Sequence, residues 1–321
     1  MAILPVHPGR PTAIQDAVNA AIPGDVILVH KGVYHETVLV PSGKDNLRIV
    51  SKEPHDAILD GKFSLAEAFG LEFTAGVEIN GFQIRNYVSN GIRLYNGKSH
   101  RIMNNTIRHI AGAGLPLGLF VLLSTGTLIV KNTIERIGRG SAGTGLQLNS
   151  GSSNWIIDNK LQANRAYGIQ VLDSNHNTIA ENHISRNRDD GILLSGSDNN
   201  LLLHNTVEHN RGNGVMSRST NSLVVGGGMK DNLGNGLLFM NNYSFAGFTE
   251  LKNNRQSGIN ASSDFNDMQE NQIDKNGNYG VLIEAPHTAN FVFENLFKKN
   301  EPRNTKDRGV DNTILQNRFR S

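Results

Sequence analysis

The 321-residue sequence contains no cysteine. Disulfides, cysteine-ligated zinc, iron–sulfur clusters and a thiol nucleophile are therefore excluded, and the chain suits a reducing compartment. No stretch approaches the ~20 apolar residues of a membrane-spanning helix, so no membrane association is expected. The opening "MAILPVHPGRPTAIQDAV" lacks a basic segment followed by an apolar core. The expected location is cytoplasmic, or on a cell, spore or phage surface reached by a non-classical route, with secretion implied if a leader was trimmed. Excess charge is also missing: 31 Lys+Arg stand against 29 Asp+Glu, a formal net charge of +2. No general field for a polyanion exists, and nucleic acid is not expected as a partner.

What the sequence has in abundance is glycine and asparagine in register. Glycine followed by an aliphatic residue recurs from Gly91 to Gly280, in nine copies spaced first by 27, then 23, then 22 residues. Fourteen residues after the first five of these glycines stand Asn105, Asn132, Asn159, Asn182 and Asn205. A second asparagine series runs through Asn164, Asn187, Asn210, Asn232, Asn254, Asn276 and Asn300. Between them lie short segments with apolar residues two apart, such as "GIQVL", "NTIAEN" and "NHISRN", too short for helices and alternating like strands. A unit this small cannot bury its inward side chains alone, so successive units must stack, each strand pairing in parallel with its equivalent one coil away at ~4.8 Å.

The pattern predicts an all-β fold, a right-handed parallel β-helix of about three short strands per coil and ten to twelve coils in all. An inward Asn at a coil corner satisfies backbone groups whose unpaired burial would cost ~1–3 kcal/mol each, so both asparagine columns are expected to be structural ladders. The repeated glycine is expected either to adopt positive φ or to admit a close backbone approach. A single domain spanning 1–321 is expected, with 1–45 as N-terminal cap and first strands, 46–300 as coils and 301–321 as a C-terminal cap or last half coil. Helical spacing of Ile14, Ala17, Val18, Ala21 and Ile22, with Thr12 as candidate N-cap and Pro23-Gly24 as stop, predicts a capping helix near 12–22.

"TAIQDAVNAAIPGDVILVHKGVYHETVLV", followed by "AILDG" and "VEINGFQIRN", resembles the N-terminal region of pectate-lyase-like β-helix proteins. The later coils are similar to the NosD type of parallel β-helix repeat. The resemblance covers nearly the whole chain and implies the fold. It also implies a superfamily of polysaccharide lyases, pectin esterases, glycoside hydrolases, uronate epimerases and tailspikes, whose shared fold does not fix the activity. "EPHD", Glu53 to Asp56, is similar to the Asp-Pro-His-Asp motif of alginate C5-epimerases, where the histidine is implicated in proton transfer.

Stacking makes side chains distant in sequence into neighbours, so equal offsets define candidate sites. Thirteen residues after the glycine come Lys131, Asp158, Glu181 and His204. Asp158, Glu181 and His204 are candidate catalytic residues: adjacent acids could act as acid and base of a glycosidase, or hold a Ca²⁺ that acidifies a uronate C5 proton. The same column also reads as an ordinary solvated outer strand, and no cofactor is strictly required. Arg165, Arg188, Arg211 and Arg255 recur at one corner despite mutual repulsion, a candidate track for an anionic glycan; the plain alternative is that they cap exposed carbonyls. Immediately before the glycine stand Tyr167, Asp190 and Tyr279, which with neighbouring amides suit a sugar surface. Two residues after it, Leu193, Met216 and Leu238 suit either that surface or a lateral stripe for homo-oligomers. The expected function is binding or processing of a polysaccharide or oligosaccharide, with lyase, hydrolase or epimerase chemistry as the candidate reactions. The alternative is a structural component of a surface layer, spore coat or phage particle.

Overall fold

The structure is a computed structural model that describes residues 1–140 and 142–320. It divides into two compact units, Met1–Ala166 and Tyr167–Ser321. Both are built from three parallel sheets, here A, B and C, and each holds seven strands of sheet A. That exceeds the expected ten to twelve coils because the glycine column marks coils only from Gly91 onward, whereas sheet A already includes Val26–Val29, Arg48–Ser51 and Glu78–Asn80.

One repeat of the second unit shows the rule. Strand Ile169–Leu172 lies in sheet C, Thr178–Ala180 in sheet A and His183–Ser185 in sheet B. Alternation sends Val171, Ile179 and Ile184 into the core, all fully buried. The next coil repeats the register, with Ile169 opposite Ile192, Ile179 opposite Leu202 and Ile184 opposite Val207. Each inward column is thus a stack of aliphatic side chains, and burying each contributes roughly 1.5–3 kcal/mol.

The asparagines form the expected ladders. In the first unit the Asn105 amide N–H donates to Asn132 Oδ1 at 3.0 Å, and Asn132 to Asn159 at 2.9 Å. In the second, Asn182 N–H and Nδ2 both donate to Asn205 Oδ1 at 3.0 Å. A similar chain runs from Asn187 through Asn210, Asn232, Asn254 and Asn276 to Asn300. A further ladder through Asn177 and Asn200 enters sheet A; serine at 222 and 244 hides its period in the sequence.

The glycine column is explained by contact and not by φ, since none of its members lies in the left-handed region. A Cβ on Gly168 would come within 2.4 Å of Ile184 Cγ2 and 2.7 Å of the Gly191 carbonyl. Positive φ falls instead on the residue preceding each asparagine of these ladders, among them Glu181, Arg186, His204 and His209.

In the first unit the helix spans Ala13–Ala20, shorter than expected, with Ile14 and Val18 fully buried. Thr12 occupies the N-cap position without making a side-chain capping bond. Glu36 caps from a distance, accepting from Ile14 N–H at 3.1 Å and Gln15 N–H at 2.9 Å, which places an anion on the positive end of the helix dipole. No helix is long and apolar enough to cross a membrane.

Candidate functional site

The outer face of sheet C in the second unit carries a groove of about 380 Å³. Its floor is one more polar ladder, which runs in the opposite sense to the others. Asp190 Oδ1 accepts from Asn213 N–H at 2.6 Å and Asn213 Nδ2 at 2.9 Å. Asn213 Oδ1 accepts from Asn235 N–H and Nδ2 at 2.9 and 3.0 Å, and Asn235 Oδ1 from Ser257 N–H at 3.0 Å. Every bond made to the Asp190 side chain goes to Oδ1, which an asparagine amide oxygen would supply equally well. The scaffold needs only an acceptor oxygen at this rung, and the sequence supplies it with an acid.

That acid is costly where it stands. Asp190 is only 4% exposed, and burial, with Asp189 adding repulsion, pushes its carboxyl up to about 6; the Asn213 bonds and Arg218 oppose the shift without cancelling it. No cation bonds Asp190 among the described residues. Above it Tyr167, also lining the groove, has its phenol held protonated by burial and by Asp189 and Asp190, and donates to Asp189. Arg211 and Arg218 reach the groove exposed, and neither forms an ion pair among the described residues. Leu193, Met216 and Leu238 complete the lining as one register column of sheet C. Leu193 is 6% exposed and Met216 and Leu238 are half-buried, so the column forms an apolar wall of the groove.

The structure thus brings Tyr167, Asp190 and Arg211 together with Arg218, Asp189 and Gln256. It places the other candidates elsewhere. Asp158, in the first unit, and Glu181 and His204, in the second, are exposed left-handed corner residues between sheets A and B. The arginines each follow a ladder asparagine; in the second unit the row reads Arg188, Arg211, Leu233, Arg255, so Leu233 interrupts it. Arg165 lies in the first unit. Tyr279 stands farther along sheet C, where Arg308 bonds it and Glu284. Glu53 to Asp56 form an exposed turn between Arg48–Ser51 and Ala57–Asp60, with Asp56 3.6 Å from Lys31. No group of three or more His, Asp or Glu side chains among the described residues is placed to hold a metal ion, so the Ca²⁺ reading has no assembled ligand set. Sequence reasoning missed Arg218 and Gln256; the strand register, with Ser195 opposite Arg218, was the signal that could have found the first.

A family profile for the right-handed β-helix region matches residues 67–244. The chain belongs to that family. No characterised protein matches it by sequence. Among solved structures, this β-helix is similar to the A-module of mannuronan C-5 epimerase AlgE6 from Azotobacter vinelandii, at 14% identity and a TM-score of 0.71 over 97% of this chain and 94% of the other. It is also similar to the catalytic unit of a GH87 α-1,3-glucanase from Streptomyces thermodiastaticus, at 12% identity and TM-score 0.67 over 99% and 67% of the chains. Pectate lyase Pel9A follows at 14% and 0.55, over 99% and 79%. At these identities the likeness establishes the β-helix fold.

Proposed function

We propose that this β-helix processes a polysaccharide, seating an extended anionic glycan in the sheet C groove of Tyr167–Ser321 with Asp190 as the proton-transferring group. The observation that carries the reading is an acid at a ladder rung where asparagine would satisfy every bond the fold makes. Such a carboxyl, raised to about 6, exchanges protons close to neutral pH, which is what acid–base catalysis requires. The Tyr167 phenol oxygen, its proton given to Asp189, accepts from a sugar hydroxyl, Arg211 and Arg218 pair with carboxylates or sulfates of the glycan, and Leu193, Met216 and Leu238 face the C–H surface of a sugar ring. The similar solved structures, an epimerase, a glucanase and a lyase, support a polysaccharide as the substrate class.

The test is to incubate the protein with polygalacturonate, mannuronan and heparin. Products are read as 235 nm absorbance for elimination, reducing ends for hydrolysis and anomeric proton signals for epimerisation. Turnover of one glycan is expected, with a pH midpoint near 6, and Asp190→Asn is expected to lower it by about 10²–10⁴-fold while the folded state persists. Full activity in Asp190→Asn would remove the assignment.

A further inference from the structure

Sheet A of the second unit presents a different surface. Its central residues Leu202, Val224, Ala246, Met268 and Val292 are buried, so the residues on either side of each point outward. One outward column, in register, reads Leu201, Leu223, Phe245, Asp267 and Phe291. Leu223 is 41% exposed, and at the adjoining corners Tyr243 and Phe265 stack with ring centroids 5.1 Å apart while remaining 57% and 46% exposed. Asp267 is the only charged residue in the sheet A strands of this unit among the described residues. It stands between two phenylalanines one strand spacing away on each side. Its Oδ1 is buried and accepts no hydrogen bond, and burial pushes its carboxyl up.

We infer that this face is a docking surface for a protein partner that presents an apolar strip with basic side chains. An apolar sheet face of this kind marks association, and its charge pattern selects the partner. The left-handed corner residues bounding these strands include Glu181, Glu270, Glu294 and Asp311, and among the described ones no Lys or Arg. The chain as a whole is slightly basic, so the acidic border is local. A second copy applied to the same face would set acid against acid. A partner guanidinium or ammonium inserted between the Phe245 and Phe291 rings would supply the missing bond to Asp267 and gain cation–π attraction in the same step.

The probe is an eight-residue peptide alternating valine and arginine, titrated into the full chain at low salt, with a valine–glutamate peptide as counterpart. The arginine peptide is expected to bind and the glutamate peptide not to. Asp267→Asn, with a thermal melt expected to match the wild type, is expected to weaken binding by about tenfold or more, and Leu223→Ser to weaken it as well. Three results would each overturn the inference: no binding of the arginine peptide, affinity unchanged in Asp267→Asn, or a loss of binding that follows Asp190→Asn instead. Sedimentation showing a dimer that Leu223→Ser dissociates would do so too, by making a second copy the occupant.

Discussion

The entry to a sheet C strand carries an acid in both units, and the two acids are treated in opposite ways. In the first unit Glu67, in register with Asn90, is clasped by Arg93, whose Nε and Nη2 lie 2.8 and 2.7 Å from its oxygens. Arg93 turns to Glu72 as well, at 2.6 Å. In the second unit Asp190 occupies the rung with amide donors on one oxygen and no bonded cation. One carboxylate is neutralised and spent on holding neighbouring strands; the other is left desolvated, with a proton affinity raised to about 6. The lesson is that a column of acids read from sequence is not one site. What the neighbouring coil places opposite each acid decides whether it is a strut or a reagent.

The sharpest way to break the comparison is the pH dependence of stability. Because the folded carboxyl of Asp190 binds its proton more tightly than an ordinary one, native Asp190 contributes its stability fully below the usual carboxylate range and loses it as pH rises through about 6. The rise from 3.8 to about 6 amounts to about 3 kcal/mol. Urea denaturation of wild type and Asp190→Asn at pH 4 and 7.5 is expected to show the variant gaining on the wild type by up to that amount at the higher pH. An Asn variant less stable than wild type at pH 7.5 would make the acid structural.

The converse substitution sharpens the other half. Arg93→Ala leaves Glu67 and Glu72 facing each other without a cation and is expected to destabilise by about 2 kcal/mol, read as a lower melting temperature with glycan turnover unchanged. The smallest effect belongs to the groove rim. Arg211→Ala removes one exposed, salt-screened contact and is expected to weaken binding of polygalacturonate oligomers by about 0.2–1 kcal/mol at low salt, and by less as ionic strength rises. An undiminished effect of that variant at high salt would mean a buried contact.

Much of this was legible beforehand because a solenoid translates sequence offset into spatial column. Gly168, Gly191 and Gly214 do stack, Asn182 and Asn205 are 1% exposed, and the offsets that grouped Leu193 with Met216 and Leu238 are the observed strand register. What offset leaves open has equally particular causes. Offset says that Asp158, Glu181 and His204 recur but not that their corner takes left-handed backbone and is exposed. Glu36 caps a helix more than twenty residues away, a partnership no local capping motif can announce, which is why Thr12 was expected in its place.

The sequence by itself determined the coil: two-residue alternation fixes which side chains enter the core, recurrent glycine fixes where coils touch, and recurrent asparagine fixes how buried corners are satisfied. Only the tertiary structure decided which of the recurring acids is buried without a bonded cation. Asp190 and Glu67 are both acids at the entry to a sheet C strand. Whether a guanidinium arrives from the next coil, and how much water is excluded when it does not, depends on side chains more than twenty residues apart meeting across a sheet, and desolvation and pairing are properties of that meeting.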